Sequence, residues 1–424
     1  MSFFSNNRRN HQKKEKAMKS KLNFYLTILC VGIFIFTSVA TGLASDTGTK
    51  GTIKIGVVTV LSGAGAPIGD RLLSGVKFAV DERPVINGYK IEIVVQDSAG
   101  DPSLALQKVT ELAGDKDVVA LTGLSYSQEA AAIAGALMAG RLALPYIDGN
   151  NVGNEVTGKF CNDWTFRISP NISAMINAAK KFFEARPKIG NTGWYIIGSD
   201  SAYGKGISDS FKNIGMNILG VNLAPLDMTD WTPIINRAMS SGANALWLPI
   251  NFGSPLAQFV KQAHTLGLTK KMTVVLPIGF PFLEELQQLG DAAVGMLGCS
   301  LWTEMTIESV KPVAKKFFDK TGKAPSQQTL QQIKVTNVLL DAIEAVNTPT
   351  RENIRDALAN MEFKTDVGPL KFRQPDQQAI VNIFQGSIQK LDEPLLGYKY
   401  SWVIDKTIST AEILPSPEEA GCKK

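Results

Sequence analysis

From residue 51 onward the chain alternates short apolar runs of strand length with segments of helical periodicity, and this alternation restricts the fold more than any other feature of the sequence. "IKIGVVTVL" is β-branched and strand-like, and behind it Leu72, Val76, Ala79 and Val80 recur at helical spacing. "KIEIVVQDSAGDP", "SLALQKVTELAGDKD", "VVALTGLSYS" and "QEAAAIAGALMAGR" continue as strand, helix, strand, helix, and "LALPYIDGNNVGNE" closes that series. After "DWTFRISPNISAMINAAKKFFEA" a second series starts at "NTGWYIIGSDSAYGKG" and runs to "KMTVVLPIGF". Such a pattern predicts an α/β protein of two doubly wound lobes, each built on a mainly parallel sheet. A ligand-sized cleft is expected between them.

The first strand and helix are joined by "SGAGAPIGD", in which Gly63, Gly65 and Gly69 read G-x-G-x-x-x-G. That is one residue longer than the dinucleotide fingerprint, and no Gly-Lys-Ser/Thr follows. Glycines here serve a sharp strand-to-helix turn at least as well as they would serve phosphate.

Residues 1–44 read as a secretory signal peptide. Seven Lys/Arg precede the apolar stretch "LNFYLTILCVGIFIFTSVA", and Gly42 and Ala44 suit a signal-peptidase site. An uncleaved anchor is the rival, since the run nearly reaches the roughly 20 residues of a span; the small-residue exit favours cleavage. Met18 offers an alternative start, and Leu29 before Cys30 argues against lipid attachment. The leader carries a net +6, so the formal +5 of the whole chain becomes −1 without it. A near-neutral exported chain has no basic field for nucleic acid or acidic lipid.

The 380 exported residues retain Cys161, Cys299 and Cys422, with no C-x-x-C. One disulfide plus a thiol and three separate thiols are both open readings. His264 alone survives of two histidines, so neither a His-based metal cluster nor a histidine triad is expected. No catalytic constellation stands out, and the chain reads as a non-enzyme without cofactor or metal.

With these pieces in order, the chain resembles the type I periplasmic solute-binding proteins of ABC transporters, of the leucine/isoleucine/valine-binding kind. The resemblance spans nearly all of residues 52–412. It rests on "IKIGVVTVLSGAGAPIGD", "QDSAGDP", "TGLSYS", "FRISP", "DSAYGKG", "VKQAHTLGL", "GDAAVGMLG" and "VGPLKF" taken together. It implies an N-terminal lobe from residues 45–167 and 303–375, a C-terminal lobe from 168–302 and 376–415, and a tail at 416–424. It implies an extracytoplasmic or periplasmic monomer that captures a small ligand and delivers it to an ABC permease. A ligand sensor presenting the same closed form to a signalling receptor is the alternative.

The resemblance also implies site residues. Ile68 stands in the first loop, where relatives often carry an aromatic residue. Ser125, Tyr126 and Ser127, with Gly149, Asn150 and Asn151, match the strand ends that hold a ligand carboxylate. Tyr203 matches the aromatic residue that closes over the ligand. Amino-acid-binding members place an acid after the strand corresponding to "ALWLPINFGSP"; here Asn251, Phe252, Gly253, Ser254 and Pro255 follow, with no Asp or Glu. A carboxylate lacking the amine is therefore expected, aromatic if Tyr126, Tyr203, Phe252 and Phe280 line the cleft, with a branched-chain amino acid the other candidate. Trp302 is expected in the core. Asp148 or Glu304 would be the substitute counter-charge for an ammonium.

Overall fold

The structure is a computed structural model, and it describes residues 50–251, 253–280 and 282–424. The expected signal peptide and Phe252 lie outside the described residues. Six strands come first: β1 (Gly51–Thr59), β2 (Val85–Ile86), β3 (Tyr89–Asp97), β4 (Val118–Thr122), β5 (Tyr146–Asp148) and β6 (Thr165–Arg167). Then follow β7 (Gly193–Ser199), β8 (Asn217–Ala224), β9 (Ala245–Trp247), β10 (Thr273–Leu276) and β11 (Leu297–Leu301). The last strands are β12 (Glu362–Thr365), β13 (Gly368–Arg373), β14 (Gln378–Ile380), β15 (Asn382–Leu395) and β16 (Tyr398–Ser409).

They form two sheets, as the alternation predicts. The first has the order β12-β13-β14-β6-β5-β4-β1-β3-β2 and the second β16-β15-β11-β10-β9-β7-β8. The runs β3-β1-β4-β5-β6-β14 and β8-β7-β9-β10-β11 are parallel, and antiparallel pairs flank them. Central β1 is buried along its second half, which is why it reads as continuous Val and Ile rather than alternating residues.

The principal helices are α1 (Ala66–Glu82), α2 (Pro102–Gly114), α3 (Ser127–Met138), α4 (Ile172–Glu184), α5 (Ala202–Lys212) and α6 (Thr232–Ser240). After them come α7 (Ser254–Thr265), α8 (Leu283–Leu289), α9 (Lys311–Thr321), α10 (Gln327–Ala345) and α11 (Arg351–Asn360). Their starts are legible. Asp101 of "QDSAGDP" accepts the Leu104 amide at 2.7 Å with Pro102 opening α2, and Asn171, Ser201, Ser326 and Thr350 cap α4, α5, α10 and α11 likewise. His264 lies on α7, exposed, and Trp302 is buried as expected. No helix among the described residues is long and apolar enough to cross a membrane.

Three segments pass from one sheet to the other: after β6, after β11, and between β14 and β15. The buried Arg167 guanidinium joins the first and third. Its Nε donates to Gln378 Oε1 at 2.7 Å, and its other nitrogens donate to the Gly153 carbonyl and Thr157 Oγ1. Gln378 Nε2 returns bonds to the carbonyls of Arg167 (3.2 Å) and Ser169 (2.9 Å). Burial pulls the Arg167 pKa down to about 10, and these acceptors offset the cost of placing the charge there.

One disulfide is present among the described residues. Cys161 and Cys422 are bonded across 261 residues, and Cys299 is a buried thiol.

Candidate functional site

In a parallel sheet the carboxyl ends of the strands point the loops at a common edge, and ligands bind there. The exits of β1, β3, β4 and β5 form the first lobe's edge. The glycines of the first loop serve close approach. A Cβ on Gly69 would fall 1.7 Å from the Val60 carbonyl oxygen, and one on Gly65 would fall 2.4 Å from the Tyr126 hydroxyl. Gly63 takes φ +68°, the left-handed conformation that the turn requires. The loop thus lets α1 start hard against β1 and makes room for an aromatic ring.

That ring belongs to Tyr126, which is half-buried. It packs with Val60, Ile68 and Leu72, and its far edge would clash with a Cβ on Gly100. Ile68 is buried in this cluster. Asp97, at the end of β3, accepts the Leu61 and Ala99 amides at 2.8 Å each, and the Leu61 bond foremost holds its pKa below the usual carboxylate range.

The polar strand ends come together, but largely on one another. Ser125 Oγ bonds Thr59 Oγ1 at 2.7 Å and accepts the Val60 amide at 3.1 Å. Asn150 Nδ2 donates to the Ser125 carbonyl at 2.8 Å, and Asn151 Nδ2 donates to the Leu124 carbonyl at 3.0 Å. Ser127 Oγ accepts the Gly153 amide at 3.2 Å. Gly149 lies so close to α10 that a Cβ would meet Val335 at 2.2 Å. Asp148 is buried beneath them, accepting the amides of Asn150 (3.0 Å) and Asn151 (3.1 Å). Burial nonetheless raises its pKa.

The second lobe's edge is built from the exits of β7, β9 and β10. Ser199 Oγ accepts the Asn251 amide at 2.9 Å, and Ser201 Oγ donates to Asn251 Oδ1 at 2.8 Å. Tyr203, in the first turn of α5, packs partly against the core with its hydroxyl buried and without a hydrogen-bond partner. Burial pushes that phenol's pKa up. Phe280 is buried, its ring 4.9 Å from that of Phe282 in an edge-to-face pair.

Sequence reasoning passed over α10, although its start joins both edges. Gln328 Nε2 donates to Asn150 Oδ1 at 2.9 Å, and Gln327 Nε2 donates to the Gly279 carbonyl at the β10 exit. One turn on, Gln331 accepts from Thr303 of the second crossing segment at 3.2 Å, and Gln332 donates to Thr122 of β4 at 2.9 Å. Residues 326–336 are buried throughout. The signal was present in "PSQQTLQQIK", where Gln327 with Gln331 and Gln328 with Gln332 repeat at i, i+4 and lay a stripe of amides along one side of the helix, opposite Leu330 and Ile333.

A second joint also went unread. Arg71 of α1 lies 4.3 Å over the Phe282 ring and 3.9 Å from Glu284 of α8. Both contacts run from the first lobe to the second.

The periplasmic binding protein family model matches residues 52–392, most of the chain. This chain belongs to that family. Among curated relatives, it is 22% identical over 419 residues to a Leu/Ile/Val-binding protein homolog 4 of Brucella melitensis, covering 92% of this chain and 97% of that one. The fold matches a leucine-, isoleucine-, valine-, threonine- and alanine-binding protein from Brucella ovis in its closed conformation, with TM-score 0.74 and 21% identity over 86% of this chain and 97% of that one. It also matches an ABC transporter solute-binding protein from Rhodopseudomonas palustris in complex with 3,4-dihydroxybenzoic acid, with TM-score 0.72 and 19% identity over 87% and 99%. The binding protein therefore has the type I architecture, with a solute-binding role and the extracytoplasmic location that periplasmic relatives imply.

Proposed function

We propose that this binding protein captures a small carboxylate without an α-ammonium group, aromatic or branched in its skeleton, and hands it to a membrane permease of an ABC transporter. The observation that carries the reading is Asn251. At the β9 exit, where the resemblance leads one to expect an acid for an ammonium, the side chain is an amide already held by Ser201. An ammonium enclosed there without a counter-charge would cost several kcal/mol. The carboxylates of the first lobe's edge are engaged elsewhere, Asp97 by the Leu61 and Ala99 amides and Asp148 by those of Asn150 and Asn151.

Tyr126, Tyr203 and Phe280 supply aromatic surface, and Ser127 begins α3 with the positive end of its dipole toward the edge. Closure about the crossing segments would enclose the ligand and present both lobes to the permease, the general behaviour of such proteins. The exported chain acts as a monomer in this reading.

The test is a thermal-shift screen of the exported chain, refolded to remove carried-over ligand. Leucine and phenylalanine are compared with the same skeletons lacking the amine, then with benzoates and phenylacetate. A ligand at about a thousand times its Kd stabilises by roughly 4 kcal/mol. The deaminated acids should raise Tm and the amino acids should not; the reverse result overturns the reading.

A further inference from the structure

At the base of the cleft, the segment leaving β11, the start of α10 and strand β16 enclose a cavity of ≈ 10 Å³. That is room for about one water-sized group. Glu304, Gln327 and Ser401 line it, with relative exposures of 6%, 5% and 1%. One oxygen of each, Glu304 Oε1, Gln327 Oε1 and Ser401 Oγ, is buried without a hydrogen-bond partner. Gln327 has its orientation fixed, because its Nε2 is committed to the Gly279 carbonyl. No Lys, Arg or His is among the described residues that line the cavity.

Three unpartnered oxygens around one small space, one of them a carboxylate, call for an occupant that brings positive charge or donated protons. We propose that this cavity is a binding site for one small monovalent cation, an alkali ion or ammonium, held by Glu304, Gln327 and Ser401. A divalent ion does not suit it. Calcium takes six to eight oxygens and magnesium retains several waters, and the one carboxylate that lines the cavity leaves a double charge uncompensated. It is also too small for any carbon skeleton, so its occupant is not the solute itself, although Gln327 and the Gly279 strand end border both. The three ligands come from the second crossing segment, from α10 and from the second sheet. A bound cation would therefore fasten the hinge side of the two lobes together.

The experiment uses the exported chain desalted into N-methylglucamine chloride, a cation too large for the cavity. Sodium, potassium or ammonium chloride then replaces it at constant ionic strength while Tm is followed. At least one small cation should raise Tm saturably by about 3 °C. Glu304→Gln, nearly isosteric, should abolish the rise, and Ser401→Ala should weaken the apparent affinity at least threefold. The responses to ammonium and to the alkali ions separate the two kinds of occupant. Crystals soaked in thallium(I) should show an anomalous peak between the three oxygens. A wild-type Tm that is indifferent to the cation overturns the proposal, as does an equal rise in Glu304→Gln; the cavity then holds water or the protonated acid. Should Glu304→Gln fail to fold, the wild-type salt series and the thallium peak decide alone.

Discussion

Arg71 of the first lobe stacks 4.3 Å above the ring of Phe282 in the second, and its guanidinium reaches to 3.9 Å from Glu284. The contact joins residues of different lobes, so it stabilises their association and not the fold of either lobe. A guanidinium over an aromatic face at a largely buried site contributes about 1 kcal/mol or more. Arg71→Ala should therefore raise the Kd for the screened ligand about fivefold, mostly through faster release, and leave Tm of the ligand-free protein within about 1 °C. Calorimetry with stopped-flow release measures both. Lysine at this position should recover little, since it lacks the planar face that stacks.

Tyr203 poses a different question, because its hydroxyl is buried with no partner. A polar group left in that state lowers stability, by about 1 kcal/mol or more. Tyr203→Phe should leave the ligand-free protein as stable as wild type or slightly more so. Its affinity for the ligand should nevertheless fall about five- to tenfold, the loss of one hydrogen bond made on closure. Unchanged affinity by calorimetry would remove Tyr203 from the site.

The fold was legible because local pattern and global architecture agree. β1 is buried and β-branched, "QDSAGDP" contains its own helix cap, and the strand-helix alternation specifies parallel sheets. The glycines at 65 and 69 were legible as a sharp strand-to-helix turn, but not as close approach to Tyr126 and Val60. The site was legible only as chemistry. Ser125 and Asn150 are polar strand ends as expected, yet their side chains are bound to Thr59, Val60 and Gln328, and a sequence does not show which neighbour consumes a hydroxyl. Gln328 meets Asn150 across 178 residues, and Arg71 meets Phe282 across the cleft. Contacts of that range leave no periodic trace. Three cysteines likewise admit three pairings, and folding alone selects Cys161 with Cys422.

The disulfide closes a strap that the two-sheet description omits. After β16 the chain packs Ile413 against Ala174 and Ala178, where Asn177 donates to its carbonyl at 2.7 Å. It then accepts a bond from Arg373 of β13 at the Pro415 carbonyl (2.8 Å) and ends on Cys161 of the first lobe. Residues 410–422 are thus a fourth link between the sheets. Replacing both Cys161 and Cys422 by Ser should cost about 2–4 kcal/mol by urea denaturation. In the intact exported chain Ellman's reagent should find no reactive thiol until unfolding exposes Cys299, whose buried thiol has its pKa pushed up. Three thiols after unfolding would contradict the pairing, and one before it would contradict the burial of Cys299.

Lys334 should make stability depend on pH in an unusual direction. It is buried on α10, its Nζ donating to Thr303 Oγ1 of the second crossing segment at 3.0 Å. Burial lowers its pKa from 10.5 to about 7, against the pull of the Asp366 carboxylate in the opposite direction. Below about pH 7 the lysine is charged in both folded and unfolded chains, and the cost of burying the charge is fully present. Between about 7 and 10.5 the unfolded chain binds more protons than the folded one, so this group makes stability rise with pH across that window. Lys334→Met removes the term. It should stabilise the protein by about 2–4 kcal/mol at pH 6, with the advantage shrinking steadily toward pH 10. Urea denaturation of both proteins at pH 6, 8 and 9.5 gives the comparison; parallel curves would mean that Lys334 titrates as an ordinary lysine and that the hinge side of α10 is wetter than its burial implies.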